Sequence, residues 1–261
     1  MAMLELDMDL PPGVRADAAR PLLREQMADA GALWLEGLRE AFATDAETGA
    51  VTEWRDSICG CVAHPTEPSI GHTLLSEADG LSGLALRAGT HCGLVVDKVD
   101  PDPAGWSMAV IYLPPETGGA RTLLTLNAGS GDGRSATYLF LSDDGDRFTV
   151  KGTGGALELT APVEGPRSRP RLATVTQRGS ELAFQENGGA IHSVVGSDAA
   201  MSGNADLFIG CRSHRPGLLK TLGASVILEV LFWRDHTLLL PRKEADRAQH
   251  MALRRYMLWG H

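Results

Sequence analysis

Short apolar segments separated by turn residues run through most of the chain from about residue 32. They recur at intervals of ~8–12 residues, a spacing typical of antiparallel β-sandwiches. Asp144-Gly145 and Asn187-Gly188 fall between neighbouring segments, and such pairs accept the positive φ angles of tight hairpins. The pattern predicts an all-β fold, a two-sheet antiparallel sandwich, with strands within 32–37, 105–115, 121–131, 136–145, 147–155, 171–179, 181–189, 190–197, 207–212 and 224–234.

The first 31 residues follow a different pattern. A Pro-Pro-Gly sequence at 11–13 interrupts the chain, Pro21 suits the first position of a helix, and Gly31 suits its end. A helix this short is marginal alone and needs a surface to pack on. We therefore predict that residues 1–31 form an arm with a short helix, used for attachment to a particle or for homo-oligomerisation.

The C-terminal segment also predicts a helix. Pro241 favours a helix start and Gly260 a helix stop. We predict a single domain over residues 32–261 that includes this helix at 241–259. Small and aromatic residues recur every three or four positions and should share the face that packs on a sheet, namely Ala245, Ala248, Ala252, Tyr256 and Trp259.

The composition is that of a globular protein with many turns. Hydrophobic residues make up 43% and charged residues 22%, and the 30 glycines and 14 prolines favour strands joined by turns. The formal net charge of −9 argues against nucleic acid as a partner, since phosphates require a basic surface. No apolar run is long enough to span a bilayer, so membrane insertion is not expected.

The start of the sequence and its cysteines bear on the compartment. The first residues lack a basic leader followed by an apolar core, which predicts no secretory signal and synthesis in the cytoplasm. The four cysteines match neither a disulfide framework nor a zinc pattern. We therefore expect reduced, partly buried thiols at Cys59, Cys61, Cys92 and Cys211.

Four segments, taken in order, carry a resemblance to a known superfamily. They are ALWLEG followed by GAVTEWRDSI, with Trp54, Asp56 and Ser57; GLSGLALRAG; RLATVTQRGSELAFQENGGAI; and LFIGCR followed by ASVILEVLFWRDHTL and RRYMLWG. Their order resembles the concanavalin A-like lectin/glucanase superfamily, in its laminin-G-like branch of bacterial and phage proteins. The likeness covers most of residues 32–261.

The resemblance implies a two-sheet jelly roll. Members of the superfamily mostly bind glycans or proteins, and some cleave polysaccharides. The segment ICGCVAHPTEP after Ser57 departs from the family pattern, because it lacks the usual turn rich in glycine and asparagine. This departure argues against a site built from the loop at residues 58–70.

The segment ELDMD at residues 5–9 places Glu5, Asp7 and Asp9 on one face of an extended strand. Retaining glycosidases hold two carboxyl groups about 5 Å apart on rigid elements. The segment precedes the predicted domain, and no predicted strand within 105–234 carries two acids that face one way. We therefore expect no catalytic residues and a chain that is not an enzyme, and we interpret ELDMD as part of the arm.

Two glycine-rich loops supply candidate ligands for Ca²⁺, at residues 127–133 and 142–146. Ca²⁺ binds six to eight oxygen atoms, and the resemblance implies an ion at a loop rim. The same residue types also form ordinary turns, and neither loop matches a complete calcium-binding pattern. The candidate ligands are Asn127, Asp132, Asp143, Asp144 and Asp146.

Glycan recognition needs an aromatic platform beside hydrogen-bonding side chains, since a sugar ring has an apolar face and a polar rim. Packing in the core is the alternative role for aromatic residues, and Trp54, Trp233 and Trp259 are interpreted as core anchors. The candidate ligand-binding residues, in the central strands and in the CRSHRPG loop, are Trp106, Tyr112, Tyr138, Arg212, His214 and Arg215.

Together these observations predict a non-catalytic recognition module. Its partner would be a glycan or host-surface polysaccharide, and the protein would be displayed as a spike, fibre or decoration protein of a phage or phage-like particle. Two alternatives stay open, a polysaccharide-cleaving enzyme of the same fold and a purely structural assembly protein, because exposed sandwiches serve all of these purposes.

Overall fold

The structure is a computed structural model that describes residues 16–261 apart from 68, 70, 79–80, 130–136, 156, 198–200, 202, 215–218 and 261, and only the backbone of 16–18, 78, 81, 259 and 260. The segment ELDMD and the break at 11–13 lie outside the described residues. Helix α1 is Ala16–Asp29 and helix α2 is Glu244–Gly260. The strands are β1 (Leu33–Leu35), β2 (Phe42–Thr44), β3 (Val51–Arg55), β4 (Val62–Pro65), β5 (Leu74–Ala78), β6 (Leu81–Leu86), β7 (Leu94–Val96), β8 (Trp106–Leu113), β9 (Arg121–Ala128), β10 (Thr137–Asp143), β11 (Arg147–Gly152), β12 (Glu158–Pro162), β13 (Arg171–Arg178), β14 (Glu181–Glu186), β15 (His192–Val195), β16 (Asp206–Ile209) and β17 (Ser225–Trp233).

The strands form two antiparallel sheets, which confirms the predicted sandwich. The A sheet has the order β15-β14-β13-β8-β17-β6-β5, and β1 also pairs with β17. The B sheet has the order β12-β11-β10-β9-β16-β7-β4-β3-β2. The sequence pattern does not resolve β2, β4, β5, β7 and β12, which have only three to five residues each.

The inner faces of the two sheets enclose the main core. Phe148 of the B sheet contacts Phe184 of the A sheet, with ring centroids 4.8 Å apart. Trp54 is fully buried and stacks on Phe42, also at 4.8 Å, which confirms its predicted role as a core anchor. Complete burial of side chains of this size contributes about 1.5–3 kcal/mol each.

A second apolar layer lies outside the A sheet, between that sheet and the two helices. Leu23 and Met27 of α1 are fully buried in the same cluster as Ile111 and Trp233 of the sheet. Helix α1 therefore packs against the A sheet and α2 of the same chain. Because both helices cover the A sheet, the outer face of the B sheet is the sandwich face that they leave open.

The limits of α1 differ in part from the prediction. The helix begins at Ala16, so Pro21 lies inside it instead of at its first position. A proline there removes only the hydrogen bond to the carbonyl four residues earlier, close to the helix start. Gly31 has a φ of +55° just past the helix, which agrees with its predicted role at the end.

The buried face of α2 agrees with the prediction at Ala252 and Tyr256 but differs in the first turns. Ala245 is exposed, whereas Asp246 and Gln249 are buried. The side chain of Trp259 lies outside the described residues. The polar residues can be buried because each has partners. The Asp246 carboxylate accepts backbone N–H bonds from Arg242 (2.8 Å) and Lys243 (3.1 Å), and Gln249 Oε1 accepts from Trp233 Nε1 (3.0 Å).

Two buried glutamates join α1, α2 and the A sheet. Glu229 of β17 accepts hydrogen bonds from Tyr256 Oη (2.5 Å) and Trp34 Nε1 (2.8 Å). Arg20 of α1 bridges the two carboxylates, with nitrogen–oxygen distances of 3.2 Å to Glu36 and 3.6 Å to Glu229. Arg24 also binds Glu36. This arrangement, the Glu36–Glu229 cluster, fixes both helices to the sheet.

His250 on α2 gives the fold a dependence on pH. Burial and the neighbouring Arg254 lower the pKa of His250 to about 4, while its Nε2 contacts Gln185 Oε1 at 2.8 Å. The pKa of histidine in an unfolded chain is about 6.5, so the unfolded state takes up the proton first as the pH falls. We expect this histidine to reduce stability by about 1 kcal/mol, after allowance for solvent screening, as the pH falls from about 6.5 to about 4.

Urea unfolding of the wild-type protein and of His250→Gln at pH 7 and pH 4.5 measures this effect. Carboxylate titration is common to both proteins, so the difference between them isolates the histidine. An equal loss of stability in the two proteins between these pH values would contradict the assignment.

Candidate functional site

The outer face of the B sheet carries an aromatic and polar surface at its centre. Leu124 and Leu126 of β9 point into the core. Thr125, which lies between them, and Asn127, which follows them, therefore point outward. The antiparallel register places Tyr138 opposite Asn127 and Phe140 opposite Thr125 on the neighbouring strand β10. Tyr138 and Phe140 stack with ring centroids 6.2 Å apart, and Tyr138 is partly exposed.

Arg212 follows β16 and lies across this surface. Its guanidinium carbon is 3.7 Å from the centre of the Phe140 ring, a cation–π contact. Its Nε donates to Thr122 Oγ1 at 3.2 Å, and burial lowers the pKa of Arg212 without removing its charge. Its Nη atoms have no hydrogen-bond partner within the part of the chain that the structure describes.

Two further polar atoms on this surface are buried without a hydrogen-bond partner among the described residues, Thr125 Oγ1 and Asn127 Oδ1. Buried polar atoms normally have a partner in the protein or an ordered water. The surface thus combines a stack of aromatic rings with guanidinium donors and two buried oxygens that have no partner among the described residues. We name this surface the Arg212 face, defined by Thr125, Asn127, Tyr138, Phe140 and Arg212.

Valine in place of Thr125 tests whether its hydroxyl is unpaired. Because removal of an unpartnered buried hydroxyl costs no hydrogen bond, we expect the free energy of unfolding to stay the same or to rise by up to about 1 kcal/mol. Thr122→Val is the matched control. It should lower the free energy of unfolding by about 1 kcal/mol, since Thr122 Oγ1 accepts a hydrogen bond from Arg212 Nε. Urea unfolding of both variants measures the difference, and an equal loss would contradict the prediction.

The structure describes five of the six predicted ligand-binding residues and separates them into three groups. Tyr138 and Arg212 belong to the Arg212 face. His214 lies beside it, where its Nδ1 accepts from the backbone N–H of Glu67 (3.2 Å) and its ring meets Phe208 edge-on at 5.1 Å. Arg215 lies outside the described residues.

Trp106 and Tyr112 form the third group, and both are fully buried between the sheets. Trp106 packs against Phe232, with ring centroids 6.3 Å apart, and Tyr112 Oη donates to Asp143 Oδ2 at 2.8 Å. This corrects the expectation of an exposed aromatic platform at these two positions. Both residues lie on β8, the central strand of the A sheet, and point inward.

The acidic residues proposed as calcium ligands have separate partners in the structure. Asp143 is buried beside Arg171, at 3.6 Å, and beside Tyr112. Asp144 accepts hydrogen bonds from Ser142, Thr149 and Arg121, and Asp146 is exposed. The carbonyl of Arg212 accepts a bond from Asn127, and Asp132 lies outside the described residues.

Among the residues that the structure describes, no group of three or more histidine, cysteine, aspartate and glutamate side chains is arranged to hold a metal ion. The calcium site therefore stays a prediction from the sequence.

A pair of carboxylates borders the Arg212 face and was missed in the sequence. Asp206 of β16 lies opposite Asn127 on one side. On its other side the pairing of β16 with β7 ends at Leu207 and Val96, and Asp206 and Asp97 are the next residues along the two strands. The two acids are 109 positions apart in the sequence.

The surroundings of the two acids differ. Asp206 Oδ1 accepts a backbone N–H bond from Lys98 at 3.0 Å, and Lys98 has a φ of +54°, an uncommon value for a residue with a side chain. Asp97 contacts His64 Nε2 at 2.8 Å, and this hydrogen bond raises the pKa of His64. A backbone held in this conformation beside charged groups is frequent at functional sites.

Comparison with known proteins gives structural but not sequence relatives. No protein-family model matches the chain, and no curated protein is similar to it in sequence. A mutant of Trypanosoma rangeli sialidase that displays trans-sialidase activity has a TM-score of 0.58 at 12% identity, over 93% of this chain and 38% of that chain.

Two further solved structures share the fold at 12% identity. A mutant of a GH54 α-L-arabinofuranosidase has a TM-score of 0.54, over 80% of this chain and 51% of that chain. Domain 4 of AbnA, a GH43 extracellular arabinanase from Geobacillus stearothermophilus, has a TM-score of 0.52 in complex with arabinotriose, over 76% of this chain and 92% of that chain. The chain spans about four tenths of the sialidase and half of the arabinofuranosidase.

These comparisons confirm a β-sandwich found in glycan-related proteins, and they do not single out the concanavalin A-like branch. They also correct one expectation. We expected a chain that is not an enzyme, from the lack of an acidic pair within one strand, but this fold occurs in proteins named as a sialidase and an arabinofuranosidase. A search along single strands does not consider acids on neighbouring strands, such as Asp97 and Asp206.

Proposed function

We propose that this chain acts on polysaccharide. It would hold a glycan across the Arg212 face and cleave it beside Asp97 and Asp206. The observation that carries the proposal is the Arg212 guanidinium, which is stacked 3.7 Å over Phe140 with Nη donors that have no partner among the described residues.

The binding half of the proposal follows from the chemistry of sugars. A pyranose or furanose ring presents C–H groups on its faces and hydroxyl groups around its rim. The partly exposed Tyr138 ring offers an apolar contact, and the partly exposed Arg212 offers donors for hydroxyl groups. Neighbouring strands are about 4.8 Å apart, so β16 and β10, on either side of β9, present these groups over about 10 Å.

The cleavage half rests on the positions of the two acids, which would face each other if the register of β16 and β7 continued by one residue. Side chains directly opposite on paired antiparallel strands have Cβ atoms about 4.5–5.5 Å apart. Retaining glycosidases hold their two carboxyl groups about 5–5.5 Å apart. The backbone N–H of Lys98 orients the Asp206 carboxylate, which would act as the nucleophile, and the His64–Asp97 pair would supply a proton for the leaving group.

The comparisons support this proposal at the level of the fold. Domain 4 of AbnA, of which the chain covers 92%, was solved with arabinotriose, and the sialidase and arabinofuranosidase are glycosidases by name. Membership of the concanavalin A-like branch and display on a phage-like particle stay predictions from the sequence. Residues 1–15 of the proposed attachment arm lie outside the described residues.

A panel of neutral and acidic polysaccharides tests both halves with the full chain. Affinity gel electrophoresis measures binding, and release of reducing ends measures cleavage. We expect retardation by at least one polysaccharide and new reducing ends from the same one. Absence of retardation across the panel would overturn the proposal, and retardation without new reducing ends would overturn its cleavage half.

A further inference from the structure

The turn between β3 and β4 is built around the carboxylate of Asp56. Asp56 Oδ2 accepts backbone N–H bonds from Ile58 (3.0 Å), Cys59 and Gly60 (2.9 Å), and its Oδ1 accepts from the backbone N–H of Trp34. Asp56 is buried, with 7% of its surface exposed. One carboxylate thus fixes the backbone of the whole turn and joins it to β1.

This turn brings two thiols into contact at the surface. The Sγ atoms of Cys59 and Cys61 are 2.8 Å apart. Gly60 between them has a φ of +75°, a conformation that residues with a side chain rarely adopt, so the glycine allows the chain to fold the two cysteines onto one side. Cys59 is exposed and Cys61 is partly exposed, so both can be reached by small reagents.

We propose that Cys59 and Cys61 form a dithiol modification site, which small-molecule disulfides such as oxidised glutathione convert reversibly to an intramolecular disulfide. A disulfide has a sulfur–sulfur distance of about 2.05 Å, so the observed contact requires only a small further approach. The site is independent of the proposed glycan surface, since it lies at the end of β3 and not on the Arg212 face.

The exchange proceeds in two balanced steps. A thiolate of the pair attacks one sulfur of oxidised glutathione, forms a mixed disulfide and releases one glutathione thiolate. The second thiol, after loss of its proton to solvent, attacks the protein sulfur of the mixed disulfide and releases the second glutathione. The protein dithiol loses two electrons and two protons, and one oxidised glutathione becomes two reduced glutathione molecules.

The remaining two cysteines provide an internal control. Cys92 is 2% exposed and Cys211 is 0% exposed, and burial raises the pKa of the Cys211 thiol to about 12. Neither presents a thiolate to solvent in the folded chain. Burial, the contact with Cys61 and the nearby Asp56 carboxylate also raise the pKa of Cys59, so the exchange is best measured at pH 8.5.

Intact mass and thiol counting after treatment with oxidised glutathione test the proposal. We expect the wild-type chain to lose two hydrogen atoms in mass and two of its four thiols, counted after unfolding, without retaining glutathione. Cys61→Ser should instead retain one glutathione on Cys59. Retention of glutathione by the wild-type chain, or survival of all four thiols, would overturn the proposal, as would an internal disulfide in Cys61→Ser.

A second measurement separates a preorganised site from the bare Cys-Gly-Cys sequence. The equilibrium between dithiol and disulfide in glutathione buffers gives an effective concentration for the pair, in the folded chain and in urea. We expect the folded value to exceed the unfolded value by at least tenfold. Equal effective concentrations in the folded and the unfolded chain would show that the Asp56 turn does not favour disulfide formation, and they would overturn the proposed site.

Discussion

Alanine in place of Glu229 is expected to lower the free energy of unfolding by about 3–5 kcal/mol. Glu229 lies on β17, an interior strand of the A sheet, and is 1% exposed. Its removal leaves Arg20 with one carboxylate instead of two and leaves Tyr256 Oη and Trp34 Nε1 without their acceptor. The loss is large because the buried partners cannot recover these bonds from water.

Urea unfolding followed by tryptophan fluorescence measures the change in stability, and hydrogen exchange measures where it arises. The increase in exchange should include α1, which Arg20 ties to the sheet. Glu244→Ala is the matched control, because Glu244 forms only an exposed ion pair with Arg247 and should change the stability by less than about 1 kcal/mol. If Glu229→Ala lowered the free energy of unfolding by less than about 1 kcal/mol, the Glu36–Glu229 cluster would not be important for the stability of the fold.

Alanine in place of Arg212 is expected to weaken polysaccharide binding at least tenfold, which corresponds to about 1.4 kcal/mol. The variant removes the donors that the Arg212 face directs toward solvent and uncovers the Phe140 ring. Affinity gel electrophoresis with the polysaccharide identified in the panel measures the change. Arg212→Lys should recover only part of the binding, since an ammonium group lacks the planar fork of a guanidinium.

The control for this experiment is Arg255→Ala, an exposed arginine on α2 that lies over the opposite sheet. It removes the same charge from the chain and should leave binding unchanged. Equal weakening by both variants would indicate a nonspecific charge effect and would contradict the assignment of the Arg212 face. Asp206→Asn completes the set, because it should retain binding and lose the release of reducing ends.

The alternation of apolar and polar residues was sufficient to predict the sandwich and its long strands. The period-two pattern of strands such as β11 is a local property, and it indicates which side chains face the core. The prediction was less accurate for α2, where small residues suggested the buried face. The helix instead turns Asp246 and Gln249 inward, because partners from Trp233 and from the backbone of 242–243 satisfy them.

The candidate site was also predictable only in part from the sequence. Tyr138 and Arg212 could be selected from the sequence by residue type, and the structure places both on one face, 74 positions apart in the chain. Trp106 and Tyr112 have equally suitable side chains but point into the core. Residue type alone does not distinguish these cases, since both pairs lie in or beside strands of similar composition.

The sequence by itself determined the class of fold, the two terminal helices and the positions of the tight turns, because each depends on residues close together in the chain. The tertiary structure decided which sheet face the helices cover, where the two glutamates meet an arginine, and that β16 pairs with β7. These features depend on strand order and register between distant segments, which no local pattern specifies.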